Sequence, residues 1–177
     1  KGTKEKGGFR HLVTGVADTG TLLDAAHRYG CTFTVFLSAV MARCVMEMQQ
    51  EKVPKRKQKP VKITVPVDMR SLFGSRTLRN FVLTLNVGVD PRQGEYTLQE
   101  LCAIMGHQLA AGATRQNMAG IIAANVLPQE NKILKAAPLF LKNIVMNIVY
   151  SRTGESTGCL NISNIGKVEM PQALAEH

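Results

Sequence analysis

An α/β fold, a mixed β-sheet flanked by helices in a two-layer sandwich, is what this sequence predicts, on three observations. Residues 61–67 (VKITVPV) and 81–89 (FVLTLNVGV) are β-branched runs of strand length. Residues 33–48 repeat apolar side chains at helical spacing through Phe33, Phe36, Leu37, Val40, Met41, Cys44, Val45 and Met48. Strand and helix signals interleave along the chain, which argues for one sheet covered by helices.

Each element has its own justification. Residues 1–8 (KGTKEKGG) are polar and glycine-rich and read as a linker, so that one domain occupies 9–177. Residues 9–16 (FRHLVTGV) read as a strand, with Phe9, His11 and Val13 on one side and Leu12, Thr14 and Val16 on the other. A short helix is predicted over 21–29. Thr21 and Asp24 resemble a capping box, Leu22, Ala25, Ala26 and Tyr29 share a face, and Gly30 suits the stop. The helix over 33–48 follows. In the strand at 61–67, Val61, Ile63, Val65 and Val67 alternate against Lys62, Thr64 and Pro66, and the proline marks a strand end or an edge. Residues 68–80 (DMRSLFGSRTLRN) read as a loop.

Thr97 and Glu100 form a capping box ahead of a helix whose apolar face is Leu98, Leu101, Cys102, Met105 and Leu109. Another helix is expected from Arg115 to Val126, closed at Pro128, and a further one begins at Pro138, where the missing N–H costs nothing. Residues 158–163 (GCLNIS) read as a short strand, and Asn164-Ile165-Gly166 as a turn. There is no internal repeat.

Composition narrows the function classes. At 177 residues the chain can bury one core, and with 5% aromatics and no Trp that core must be aliphatic. The formal net charge is +9, and Lys52, Lys55, Arg56, Lys57, Lys59 and Lys62 crowd one short stretch. That stretch is either a solvated loop or a surface that meets phosphate or an acidic partner. Cys31, Cys44, Cys102 and Cys159 lack metal-ligand spacing and read as reduced thiols of a cytoplasmic protein, with Cys44 and Cys102 on apolar helix faces. The apolar run at 138–150 contains Lys142, Asn143 and Asn147 and is too short to span a bilayer. The opening Lys1, and a last helical stretch that stops at His177, read as cuts through a longer protein.

No self-contained active site is visible. The histidines are His11, His27, His107 and His177, each read as a surface or packing residue. His107 follows Cys102 by five positions, off its helical face. The patterns GxSxG, GxGxxG, HExxH and the P-loop are missing. Two constellations remain. In the first, Asp68 and Arg70 follow a strand directly and could form a bidentate ion pair, with Thr77, Arg79 and Asn80 returning the chain to the next strand. The second is Ser163-Asn164-Ile165-Gly166 after the last strand. Both also read as purely structural, a pinned loop and a tight turn.

Taken in order, four segments resemble the C-terminal half of the chloramphenicol acetyltransferase-like superfamily of CoA-dependent acyltransferases. They are Thr34-Val35-Phe36-Leu37-Ser38-Ala39-Val40, Val65-Pro66-Val67-Asp68-Met69-Arg70, Thr77-Leu78-Arg79-Asn80-Phe81 and Ser163-Asn164-Ile165-Gly166. Each is weak alone; the order over residues 9–177 carries the resemblance, which is nearest to bacterial alcohol acetyltransferase-like proteins and extends to peptide-synthetase condensation domains. It implies two similar halves with a tunnel between them, and a general base from an HHxxxDG motif in the N-terminal half. This chain has no HHxxxDG, so no catalytic residue is assigned here and the chain alone is expected to be inactive.

The resemblance further implies transfer of an acyl group from a CoA or carrier-protein thioester to an alcohol or amine, with no resident cofactor. Ser163 and Asn164 would line the tunnel, Asp68, Arg70 and Asn80 would brace it, and Lys55, Arg56, Lys57 and Lys59 would contact phosphate. The partners implied are the N-terminal half, the thioester donor and, through the exposed half-interface, a second copy. Two alternatives stand beside this reading. One is a scaffold of the same fold without activity. The other is a basic nucleic-acid-binding module, which the lack of aromatics among the cations speaks against.

Overall fold

The structure, a computed structural model, describes Gly7 and residues 11–130, 138–149 and 158–166. The rest of the expected linker at 1–8, residues 9 and 10 of the expected first strand, Tyr150 and His177 lie outside the described residues. In chain order the elements are α1 (Thr19–Arg28), α2 (Phe33–Lys52), a 3-10 turn (Lys55–Lys57), β1 (Val61–Asp68), α3 (Met69–Phe73), β2 (Val82–Val89), α4 (Leu98–Gly112), α5 (Arg115–Glu130), α6 (Leu139–Val149) and β3 (Leu160–Asn161).

The α/β class holds: three strands form a mixed sheet in the order β2-β1-β3, with β1 antiparallel to β2 and parallel to β3. The antiparallel register runs from Val61↔Val89 to Asp68↔Val82, and β3 joins through Ile63↔Leu160 and Thr64↔Asn161. Strand alternation then decides the layers. Val61, Ile63 and Val65 of β1 and Val87 and Val89 of β2 are buried in one cluster with Val35, Ala39, Ala42 and Met46 of α2 and Leu101, Cys102 and Met105 of α4. Lys62, Thr84 and Asn86 point the other way and are exposed. Helices α2 and α4 therefore cover one face, and α1 packs outside α2.

Pro66 sits in the strand that is central among the described three, not at an edge. The carbonyls of Lys62 and Thr64 accept from Cys159 and Ile162 on the β3 side. By alternation Pro66 faces that same side, past the end of the two-residue β3. Its missing N–H therefore breaks no ladder bond there.

Several sequence expectations are corrected. Residues 11–16 are not a strand: Leu12, Val13 and Val16 are more than nine-tenths exposed, and no neighbouring strand among the described residues satisfies the backbone there. The cap of α1 is Asp18, whose carboxylate accepts from the Thr21 N–H at 2.7 Å, so Thr21 and Asp24 are inside the helix. Helix α2 buries Val35, Ser38, Ala39, Ala42 and Met46, and leaves Met41, Cys44 and Met48 exposed. Its long apolar residues lie nearly all round, so periodicity could not choose a face; the small residues won because they let the helix approach the sheet and α4 closely. Cys44 thus lies away from the core. Residues 69–73 form α3 within the expected loop. Helix α5 continues to Glu130 rather than stopping at Pro128, since a proline in the last turn deletes only one intrahelical bond.

Candidate functional site

Chain direction places the family-like segments at one end of the sheet. Strand β1 ends at Asp68, β2 begins opposite it at Val82, and the chain leaving parallel β3 heads the same way to Ser163 and Asn164. Helix α2 runs antiparallel to β1, because Gln49 in its last turns clamps Lys59 ahead of β1. Its N-terminus, with Thr34, therefore reaches the Asp68 end.

Two side chains tie this end together. Arg70, in α3, donates from Nε to the Thr77 carbonyl at 2.8 Å, from Nη2 to the Arg79 carbonyl at 2.8 Å and from Nη1 to Asp68 Oδ1 at 3.1 Å. The guanidinium fork thus spends most of its donors on backbone carbonyls, and the expected bidentate pair with Asp68 is a single contact. Asp68 has a second task as the N-cap of α3, accepting from the Arg70 N–H at 3.0 Å. Phe73 at the end of α3 packs on Phe81 and lies under the Arg115 guanidinium, 5.5 Å from the ring centre. Asn80 is exposed and has no hydrogen bond among the described residues. The brace is built by Arg70 with the carbonyls of Thr77 and Arg79 instead.

Asn164 donates from Nδ2 to Thr34 Oγ1 at 3.2 Å and accepts the Gly166 N–H on Oδ1 at 2.9 Å. The expected turn is present, and it is docked on the N-terminus of α2. Ser163 and Asn164 are exposed, while Ile162 just before them is buried and anchors the segment. One Nδ2 hydrogen and part of the Oδ1 acceptor capacity stay available at Asn164. Sequence reasoning quoted Thr34 as part of the α2 motif but gave it no role; its partner lies 130 positions away, beyond the reach of any local pattern. Around this end Leu78 is 99% exposed and Ile165 86% exposed, two large apolar side chains in solvent beside polar ones.

The basic stretch is elsewhere. β1 is eight residues long, so roughly 23 Å of strand separates Val61, just past Lys59, from Asp68. Lys55, Arg56 and Lys57 form the 3-10 turn, closed by the Gln58 N–H on the Lys55 carbonyl, and Gln58 is buried with its amide on the Val53 carbonyl at 3.2 Å. Gln49 takes the Lys59 N–H at 2.8 Å and returns a bond to the Lys59 carbonyl at 3.1 Å. The loop is well fixed, yet all its cations are exposed, and none enters an ion pair among the described residues. Three successive side chains on a 3-10 turn point about 120° apart, so they do not converge on one phosphate.

Two depressions open near this second end. One, of about 440 Å³, lies between the end of α2 and the Pro91–Glu95 stretch; the other, of about 380 Å³, lies between Lys62, Asn86, Gln93 and Gln108. Neither is lined by Asp68, Arg70, Ser163 or Asn164.

The remaining titratable groups are structural. Hydrogen bonds from Thr21 hold the Asp18 carboxyl below its ordinary value, and those from Thr97 do the same for Glu100 in the capping box. The Arg92 side chain lowers Asp90, and Arg92 is raised in return. Burial pushes the Cys102 thiol up to about 12, helped by the neighbouring Cys31 thiol. His27 and His107 are exposed. Among the described residues no group of three or more His, Cys, Asp or Glu could hold a metal ion, and no single helix is long and apolar enough to cross a membrane.

A scan against protein-family models, a search of curated proteins and a search of solved structures each return no match to this chain.

Proposed function

We propose that this chain is the C-terminal part of an acyltransferase, and that its Asp68–Asn164 end forms one wall of a tunnel whose base is supplied by a partner half. One observation carries the reading. The four segments that resemble the CoA-dependent acyltransferase superfamily meet at a single end of the sheet and are joined in pairs, Arg70 to the nearby Thr77 and Arg79, and Asn164 to Thr34 across 130 positions. The exposed Leu78 and Ile165 at that end give a partner half apolar surface to cover.

In the reaction, a histidine of the partner half takes the proton of an alcohol or amine. The freed oxygen or nitrogen attacks the thioester carbonyl, the C–S bond breaks, and the thiol leaves with the proton. Asn164, held by Thr34 and Gly166, offers its remaining amide hydrogen toward the tunnel. Arg70 keeps the neighbouring loop in place. The donor is an acyl-CoA or an acyl-carrier protein.

The test is thermal stabilisation by CoA and acetyl-CoA at low and high salt. Stabilisation that fades with salt supports donor binding through phosphate and cations. No shift in a protein containing both halves counts against a CoA donor.

One observation favours a second reading. Both ends of the Asn164 amide are already engaged, as in a turn that serves structure alone, so a scaffold of this fold without activity is the alternative. A partner half lacking HHxxxDG would decide for it.

A further inference from the structure

We infer that residues 12–16, the arm ahead of α1, become a strand by adding to the outer edge of β2 in a second copy of this chain, and that two copies exchange arms to form a twofold dimer. The register of the sheet defines the acceptor edge. Gly88 turns its N–H and carbonyl away from β1, and the Gln108 amide takes both, at 2.7 and 2.9 Å. Backbone direction alternates along a strand, so the N–H and carbonyl groups of Val82, Thr84 and Asn86 point to that same outer side. Among the described residues nothing hydrogen-bonds to them. Thr84 and Asn86 are exposed, and Val82 is 40% exposed.

Edge strands ordinarily carry a charge or a proline that discourages further pairing. The stretch Val82–Val89 has neither. The Gln108 clamp closes the edge at Gly88, which leaves Val82 to Asn86 open.

The arm is the complement of this edge. It has the same length, from Leu12 to Val16. Its side chains have nothing to cover them in their own chain: Leu12, Val13 and Val16 are 91%, 92% and 98% exposed. Among the described residues no backbone hydrogen bond holds residues 12–16. Gly15 has no positive φ, so nothing there breaks an extended run. Asp18, with extended backbone at the cap of α1, marks where the arm leaves the body. Strand composition in a segment that lacks a neighbouring strand is thus matched by a strand edge that lacks a neighbour.

The side chains select the orientation. In an antiparallel pairing with Val13 opposite Thr84, alternation puts Leu12 and Thr14 beside Leu85 and Leu83, which are half-buried at the rim of the core. Val13 and Gly15 then fall on the polar, open face of the sheet. Direct pairing of two β2 edges would satisfy the same backbone groups but leave the arms in water. Arm exchange satisfies the edge and covers the arm together, and reciprocal exchange closes the assembly at two chains. The inference is independent of the acyl-transfer reading.

The experiment measures the mass of the full chain by sedimentation and light scattering over a wide concentration range, with circular dichroism as the control for folding. The parent chain is expected to pass from monomer to dimer. Leu12→Asp with Val16→Asp changes two side chains that touch nothing in the single chain, so it should keep the fold and weaken dimerisation about tenfold or more. Thr84→Pro removes an outward N–H and spares the ladder with β1, so it should weaken dimerisation likewise. Leu78→Ser with Ile165→Ser, at the other apolar surface, should leave the dimer unchanged. A parent chain that stays monomeric throughout would overturn the exchange. So would a dimer that survives the arm substitutions, which would point to direct edge pairing, or one that is lost with Leu78 and Ile165.

Discussion

At one end of the sheet, Asn164 reaches Thr34 across 130 positions beside the Arg70 fork on the Thr77 and Arg79 carbonyls; at the other, Gln49 and Gln58 fix a loop within ten positions while six cations face solvent. The first end spends its polar groups inward and leaves Leu78 and Ile165 bare. The second satisfies its backbone locally and leaves charge bare. Bare apolar surface calls for a covering surface of the same kind, whereas bare charge is stable in water without one. The difference favours the Asp68–Asn164 end over the basic end for the partner-half contact proposed above.

The comparison breaks most completely if the frame shared by both ends is removed. A β-carbon at Gly88 would run into the Val61 carbonyl, while Gln108 holds the Gly88 N–H and carbonyl at 2.7 and 2.9 Å from the outer side. Gly88→Ala should cost about 3 kcal/mol, since neither strand can move away freely; urea unfolding checks it. An unchanged midpoint would show that β1 and β2 are looser than described.

Next in size is the contrast between the two ties. Arg70→Ala removes three hydrogen bonds at a partly exposed site and should cost about 2 kcal/mol, while Arg70→Lys restores little because it lacks the fork. Gln49→Ala should cost about 1 kcal/mol. Equal losses would erase the distinction between a three-bond guanidinium fork and a two-bond amide clamp.

Acid sharpens it further. Asp18, Asp90 and Glu100 have folded-state pKa values below their ordinary ones. Each therefore contributes stability that is present above the unfolded value, near pH 4, and is lost as pH falls through the folded value. All three lie outside the Asp68–Asn164 end. Glu100→Gln should flatten the acid limb of a circular-dichroism stability profile and leave the neutral region little changed. An unaltered acid limb would remove the capping box from the account.

The smallest expected effect is at the basic end. Lys55→Glu with Lys57→Glu should shift stability by less than about 0.5 kcal/mol, since both side chains are exposed and enter no ion pair among the described residues. A salt-titrated gel shift with DNA and RNA is expected to show no band for the parent chain; a salt-sensitive band lost in the double variant would favour the nucleic-acid alternative.

What the sequence made legible follows the same division. The capping box at Thr97, the α4 face through Leu101 and Met105, and the alternation of β1 were readable because partner and residue lie within one turn or one strand. The α2 face was not, because Phe36, Leu37, Val40 and Val45 surround the helix and the choice fell to Ala39 and Ala42, whose advantage appears only when α4 and the sheet are in place. Residues 11–16 have a strand composition, yet composition cannot supply the neighbouring strand that pairing requires. At the candidate site, Asp68, Arg70 and Asn164 were singled out in advance. Thr34 was given no role, since its partner Asn164 lies 130 positions away, and the Thr77 and Arg79 carbonyls were not read as Arg70's acceptors because backbone groups leave no mark in side-chain patterns.

The central claim is that the Asn164 turn, and not the basic loop, lies next to the reacting thioester. It is tested most directly by kcat/KM for acyl transfer in a protein containing this chain and the half with the base, comparing Asn164→Ala with Lys55→Glu/Lys57→Glu at high salt. The account predicts a loss of about tenfold or more for Asn164→Ala at nearly unchanged Tm, and a change within about twofold for the charge reversals once salt screens them. An Asn164→Ala enzyme with unaltered kcat/KM would contradict it.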